Sequence, residues 1–352
     1  MPAMSDVVLV TGGAGFIGSH VVEALLRAGY TARVLDNFSS GRDENLDDLW
    51  CLAGRFGGGL QVIQGDVRDP EATADACYKA VAVIHLAAVP SVTQSLIDPV
   101  STNAVTHGGT INTLWQAIDQ QVPLFVLASS CAVYGDASEP PVAEGARLRP
   151  RSPYAEAKRD AELACLSAGD GGFLATVCLR LFNVYGPRQD PSSPYSGVVS
   201  RFLSAALRGQ PLTIHGDGEQ TRDFVYVGDV VRAIMAVLGR PRRGATVVNV
   251  GSGRETSVNE LAAAVERVVG RRLGRRQAPP REGDVLRSAA DTGRARWVLG
   301  WEAATPLDEG LAATWEWVQA EAAAAAGAEP RGSYAALHEE LDGLGAADDD
   351  EV

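Results

Sequence analysis

The chain has 352 residues, 46% hydrophobic and 6% aromatic, and 31 Lys and Arg against 44 Asp and Glu give a formal net charge of -13. That length and composition furnish one large core or two smaller ones, and the negative excess repels phosphate polymers and anionic bilayers, so neither nucleic acid nor membrane is expected as a partner. The five cysteines, Cys51, Cys77, Cys131, Cys165 and Cys178, form no C-x-x-C pair, which points away from a metal site or disulfide framework; with no leader pattern and no apolar run near ~20 residues, the expected compartment is the cytoplasm.

The apolar run Val7–Thr11 reads as a strand and leads through Gly12-Gly13-Ala14-Gly15-Phe16-Ile17-Gly18 into an amphipathic stretch over 19–26. In such a strand, turn and helix, Gly12 makes the tight turn, Gly15 removes a side chain that would block a pyrophosphate, and Gly18 lets helix and strand pack closely. The helix N–H groups then face the phosphates, where the helix dipole favours negative charge. An ordinary glycine-rich βα turn shares this pattern, but the next apolar run, 31–35, ends in Asp36. A carboxylate there accepts from an adenosine ribose and repels a 2′-phosphate, so NAD is the expected cofactor rather than NADP.

Further strand-like runs fall at 60–64, 81–86, 124–129 and 174–182, with helical patterns over 70–79, 103–120 and 154–168. This alternation predicts an α/β fold: a doubly wound Rossmann parallel sheet covered on both faces. Ligands in such sheets lie beyond the carboxyl ends of the strands, so the polar turns 36–41, 66–69 and 87–95 should line one crevice. Beyond Tyr185 a turn-rich excursion opens a smaller C-terminal α/β substrate-binding region. It holds helix patterns at 198–207, 230–238, 258–269 and 307–326, a Gly216-Asp217-Gly218 turn and a short strand at 223–227. The expected division is 1–185 for the dinucleotide, with strand 245–250 returning to it, and 186–326 mainly for substrate. Residues 327–352, ending Asp348-Asp349-Asp350-Glu351, read as a disordered acidic tail.

Tyr154 and Lys158 stand four residues apart on a predicted helix, on one face about 6 Å apart. Spacing alone equally fits a half-buried tyrosine beside a lysine that reaches water. Next to an oxidised nicotinamide, the lysine ammonium would lower the phenol toward neutral pH and hold the nicotinamide ribose. The strand over 124–129 delivers Ser129-Ser130 to the carboxyl edge of the sheet, where a hydroxyl either binds substrate oxygen beside Tyr154 or makes an ordinary turn.

Together Thr11 to Gly18, Asp36, His85-Leu86-Ala87-Ala88, Ser130, Tyr154-x-x-x-Lys158 and Arg180-Leu181-Phe182-Asn183-Val184-Tyr185-Gly186-Pro187 resemble extended short-chain dehydrogenase/reductases acting on nucleotide sugars. Within that group the chain is most similar to UDP-hexose 4-epimerases, through Asp36 to Gly41, Pro99 to Asn103, Arg188-Gln189-Asp190-Pro191 and Gly216 to Phe224. The resemblance implies Ser130, Tyr154 and Lys158 as catalytic residues. It implies a cofactor site of Gly12, Gly15, Phe16, Ile17, Gly18, Asp36, Asn37, Ser39, Gly41, Asp66, Val67, Leu86, Ala87, Ala88, Asn103, Tyr154, Lys158 and Phe182. For the UDP-sugar it implies Ser91, Ser130, Asn183, Val198, Arg222, Arg281 and Asp284, with the segments 89–95 and 191–198 selecting the hexose. It also implies a homodimer through the helices at 103–120 and 154–168. The arginines Arg271, Arg272, Arg275 and Arg276 are expected on a solvated basic face.

Relatives of this kind start by oxidising sugar C4 while the tyrosine takes the hydroxyl proton. Dehydratases of the group follow the strand-end residue with Asp-Glu and UDP-glucuronate decarboxylases carry a glutamate at the second of these positions, where this chain has Cys131 and Ala132. The missing carboxylate favours a 4-epimerase that keeps its NAD. A decarboxylase or dehydratase on the same fold, and a non-catalytic NAD-binding regulatory protein, are the alternatives. Cys131 is read as a small apolar filler, because no neighbouring cation favours a thiolate.

Overall fold

The computed structural model describes residues 6–136, 139–190, 197–240, 243–280 and 285–327. The chain begins β1 (Val7–Thr11), α1 (Phe16–Arg27), β2 (Thr31–Asp36), α2 (Glu44–Trp50), β3 (Leu60–Gln64), α3 (Pro70–Cys77) and β4 (Ala80–His85). It continues α4 (Val92–Ile97), α5 (Pro99–Asn103), α6 (Gly109–Asp119), β5 (Leu124–Ser130), α7 (Pro153–Asp170) and β6 (Ala175–Leu181). Then come β7 (Asn183–Tyr185), α8 (Val198–Leu207), β8 (Leu212–His215), β9 (Thr221–Arg222), β10 (Phe224–Tyr226), α9 (Val227–Leu238) and β11 (Ala245–Val250). Last are β12 (Thr256–Ser257), α10 (Val258–Val269), β13 (Arg275–Ala278), α11 (Gly293–Leu299) and α12 (Leu307–Ala325).

Seven strands pair in parallel in the order β11-β6-β5-β4-β1-β2-β3. The direction of winding reverses between β1 and β4, so the connections leaving these strands part and open a crevice at their carboxyl ends. Both faces of the sheet are apolar because both are covered. Val8 and Val10 pack with Val21 and Val22 of α1 and Ile234 of α9, whereas Leu9, Phe125 and Leu127 pack with Leu114 of α6 and Ala161 of α7. A third core, built from Phe202, Leu261 and Trp317, joins α8, α10 and α12. Among the described residues no helix is long and apolar enough to cross a membrane.

Local sequence sets the helix ends. Pro153 occupies the first turn of α7 and Ser152 Oγ accepts from the Ala155 N–H at 3.2 Å, a start that leaves few orphan donors. α10 opens with a reciprocal Ser257/Glu260 box and stops at Gly270, φ 75°. The helix expected over 103–120 instead begins at Pro99, capped by Asp98 Oδ1 accepting from Ser101 N at 3.0 Å, and reaches α6 through a π-helical turn at Ala104–Gly108. The strand expected at 223–227 is shortened to β10, because α9 starts at Val227 rather than at 230. The short helices α2, α4 and α11 and the strands β7, β8, β9, β12 and β13 had no clear signal in the sequence. β13 is unusual in that two of its four residues are arginines, yet it pairs in parallel with β8.

Candidate active site

The glycine turn is shaped by what a side chain would strike. A Cβ on Gly18 would lie 2.1 Å from the Gly12 carbonyl oxygen, and one on Gly12, whose φ is 71°, would lie 2.9 Å from the Ala87 nitrogen. Gly12 therefore lets the β4 turn carrying Leu86, Ala87 and Ala88 pass close to the β1 turn, and Leu86 N donates to Thr11 O at 3.1 Å. α1 begins at Phe16 with Gly15 as its cap, no side-chain cap bond and no acidic residue in its first turn. The first-turn N–H groups, those of Phe16, Ile17 and Gly18, are thus left to an anion at the mouth of the crevice.

Asp36 ends β2 with both carboxylate oxygens committed: Oδ2 accepts from Ala14 N and Oδ1 from Phe38 N, each at 2.9 Å. Burial pushes this carboxyl up, and the N–H bonds from Phe38 and Ala14 oppose the rise. A Cβ on Gly41 would sit 3.0 Å from either carboxylate oxygen, so glycine keeps the space beside them open. Asn37 Nδ2 donates to Asp66 Oδ2 at 2.9 Å and its Oδ1 accepts from Ser39 N at 3.0 Å. Arg68 grips Asp66 through both carboxylate oxygens and holds it well below the usual carboxylate range. Val67 is buried, with its carbonyl accepting from Asn112 Nδ2 at 2.8 Å, and Asn103 is exposed at the end of α5. Phe182 is buried in a small cluster with Tyr134, Val133 and Val142. These surfaces fit a dinucleotide: open space where Cβ atoms are excluded, free helix N–H groups, and a carboxylate at the end of β2.

Behind this cradle His85 is fully buried between two threonines, Nδ1 2.8 Å from Thr11 Oγ1 and Nε2 3.1 Å from Thr110 Oγ1. Thr110 already donates its proton to Thr106 O at 2.6 Å, so Nε2 donates to it and Nδ1 accepts from Thr11. Burial first, and then the Lys158 charge, push the imidazole down to about 3. His85 is a neutral strut beneath the crevice.

β5 and α7 bring Ser130, Tyr154 and Lys158 together. The Ser130 hydroxyl lies beside the Tyr154 phenol, near enough to favour its ionised form, and accepts from Ala132 N at 3.2 Å. Lys158 is buried, and its Nζ donates to Ala128 O at 2.7 Å; burial pushes the ammonium down to about 8. The expected lowering of the phenol by Lys158 is not met in the chain by itself. Lost solvation pushes Tyr154 up to about 12, with the nearby Ser130 hydroxyl pulling the other way. Cys131 is likewise pushed up to about 12, by burial and the nearby Asp223 charge against Arg222, so its thiol stays protonated as an apolar filler does.

A cleft of about 850 Å³ runs from α4 toward β8 and β13. Ser91, Asn183, Val198 and Arg222 line it, as do Arg201, Arg208, His215 and Arg276. Asn183 Oδ1 is buried with no hydrogen-bond partner among the described residues, whereas Ser91 Oγ caps α4 by accepting from Gln94 N at 3.0 Å. Arg222 Nη1 donates to Thr221 O and Val285 O, each at 2.6 Å. Arg281 and Asp284 lie outside the described residues. Arg271, Arg272, Arg275 and Arg276 are exposed, as expected of a solvated basic face, and β13 in addition lays Arg276 along the cleft, donating to Thr213 Oγ1 at 3.1 Å. The α8 spacing Val198, Arg201, Phe202, Ala205, Arg208 was the available signal, since these positions share one helical face.

A doubly wound sheet with a glycine cradle, an aspartate at the end of its second strand and a serine, tyrosine and lysine at its carboxyl edge defines a dinucleotide-dependent enzyme of the Rossmann type. The model of the NAD dependent epimerase/dehydratase family matches residues 8–251, and the chain belongs to that family. It is 40% identical over 310 residues to the UDP-glucose 4-epimerase of Mycolicibacterium smegmatis, covering 88% of this chain and 97% of that one. It is 34% identical over 310 residues to UDP-glucuronic acid decarboxylase 1 of Xenopus tropicalis, covering 86% and 70%. The crystal structure of the UDP-glucose 4-epimerase of Thermotoga maritima with UDP-glucose superimposes with a TM-score of 0.82 at 37% identity, covering 89% of this chain and 98% of that one.

Proposed function

We propose that the chain is an NAD-retaining UDP-sugar 4-epimerase. The observation that carries this reading is the end of β5, where Ser130 is followed by Cys131, held protonated, and by Ala132. Neither offers the carboxyl group that would take the C5 proton for loss of water, or return a proton to C5 after loss of carbon dioxide. NAD supplies the acceptor and the donor of the hydride exchanged with sugar C4. Tyr154 takes the C4 hydroxyl proton and returns it, Ser130 holds the same oxygen, and Lys158 adds positive charge behind the phenol. Gly12, Gly15, Gly18, Asp36 and the Leu86 to Ala88 turn would hold the dinucleotide. Asn183 and Arg222, with Arg281 and Asp284, would hold the nucleotide diphosphate, since a planar guanidinium fork suits phosphate oxygens. On this reading 1–185 with 245–250 serves the cofactor and 186–326 the substrate.

Incubation with a panel of UDP-sugars, followed by mass spectrometry, tests the proposal. A product of unchanged mass and inverted C4 supports it, and a product lighter by water or carbon dioxide would replace it with the dehydratase or decarboxylase reading. We also propose a homodimer: Leu96, Ile97, Val100, Trp115 and Leu163 are large apolar side chains 49% to 78% exposed on the contiguous helices α4 to α7, more than scattered surface residues require. Trp115→Glu with Leu163→Glu should turn a dimer into a monomer in light scattering. The five free thiols suit a cytoplasmic enzyme.

A further inference from the structure

We infer that Glu162, anchored by Arg180, is a positioning residue that sets Ser130 against Tyr154 through the Ser129 hydroxyl. The inference rests on the reaction proposed above. α7 presents Tyr154, Lys158 and Glu162 at successive intervals of four, one stripe of the helix. Each meets one of three consecutive residues at the end of β5: Tyr154 lies beside Ser130, near enough to feel its hydroxyl, Lys158 Nζ donates to Ala128 O at 2.7 Å, and Glu162 Oε2 accepts from Ser129 Oγ at 2.8 Å. The three contacts fix the register of helix against strand at the point where the reacting hydroxyls must meet.

Glu162 and Arg180 are 0% and 3% exposed. Arg180 reaches Glu162 with Nε at 3.0 Å and with Nη2, so both carboxylate oxygens are engaged. Its Nη1 donates to Tyr134 Oη and to Glu144 O, both at 2.9 Å, and the guanidinium lies over the Tyr134 ring at 4.8 Å. Tyr134 closes the turn Cys131–Tyr134 and donates to Asn249 Oδ1 at 2.6 Å. Ser130 is therefore bracketed, by the Ser129 contact to Glu162 before it and by the Tyr134 contact to Arg180 after it. An apolar pair would fill this volume at less desolvation cost, so a buried ion pair here is explained by the register it specifies.

The test uses the NAD-loaded enzyme. Ser129→Ala removes one rung and leaves the ion pair intact, whereas Glu162→Gln strands Arg180 and serves as the severe variant. Ser129→Ala should lower kcat on the order of 10-fold, as expected for a small misplacement of reacting groups, with KM for UDP-glucose and NAD content unchanged; Ser129→Thr should restore it. In a Ser130→Ala background the same change should cost less than about 2-fold, because the rung acts through Ser130. Parent kcat in Ser129→Ala, an equal loss in the Ser130→Ala background, or a loss matched by missing NAD would overturn the inference. If the parent itself converts no UDP-sugar, the reaction proposed is at fault, and a crystal structure of Ser129→Ala still decides the positioning claim. Separation of the Ser130 and Tyr154 hydroxyls supports it, and an unmoved pair refutes it.

Discussion

Lys158 carries a penalty that can be measured. Lys158 is 4% exposed, and its ammonium is pushed from 10.5 to about 8 by burial. Each pH unit between those values is worth about 1.4 kcal/mol, so keeping the group charged inside the dinucleotide-free fold costs about 3 kcal/mol. The folded value lies below the unfolded one, so the unfolded chain holds the extra proton. The penalty is full below about pH 8 and fades as pH rises toward 10.5. Lys158→Met keeps the stem and removes the charge, at the cost of the bond to Ala128 O, a pH-independent loss of about 1 kcal/mol. Urea unfolding of the stripped parent and variant at pH 7 and pH 10 should show the variant gaining at neutral pH, with more than about 2 kcal/mol of that gain lost at pH 10. Turnover of the variant should collapse at every pH. A stability difference that does not change between the two pH values would refute the buried charge.

Other outcomes follow from the cradle and the strand end. Gly18→Ala drives a Cβ into the Gly12 carbonyl and should yield protein without copurified NAD and with a melting temperature lower by about 5 °C or more. Asp36→Ser removes the charge facing a 2′-phosphate and should raise the affinity for NADP relative to NAD by about 10-fold or more, read by titration of the stripped protein. Cys131→Ala should keep kcat within about 3-fold, as a small apolar filler allows; a larger loss at full NAD content would give the thiol a part in the chemistry.

The parts of the site that were legible in the sequence are those in which short spacing sets geometry. Gly12 to Gly18, Asp36 at a strand end and Tyr154 with Lys158 on one helix face each occupy a single βα unit or helical turn. The cleft arginines were less legible, because Arg276 reaches the cleft only through pairing of β13 with β8 across more than sixty residues, and a run of arginines reads locally as solvated. Glu162 and Arg180 were overlooked for a related reason: a charged residue in a helix or strand pattern suggests surface, and only the tertiary partner makes burial tolerable. The rise of the phenol in the dinucleotide-free chain was not legible, since spacing shows a nearby cation but does not show that Lys158 is aimed at the Ala128 carbonyl.

The central claim is that the hydrogen removed from sugar C4 is returned to that carbon on the opposite face. UDP-glucose carrying deuterium at C4 tests it in one incubation, read by mass spectrometry and NMR. The account predicts a C4 epimer of unchanged mass with the deuterium still at C4. A product that has exchanged its label with solvent, or has lost water, would contradict it.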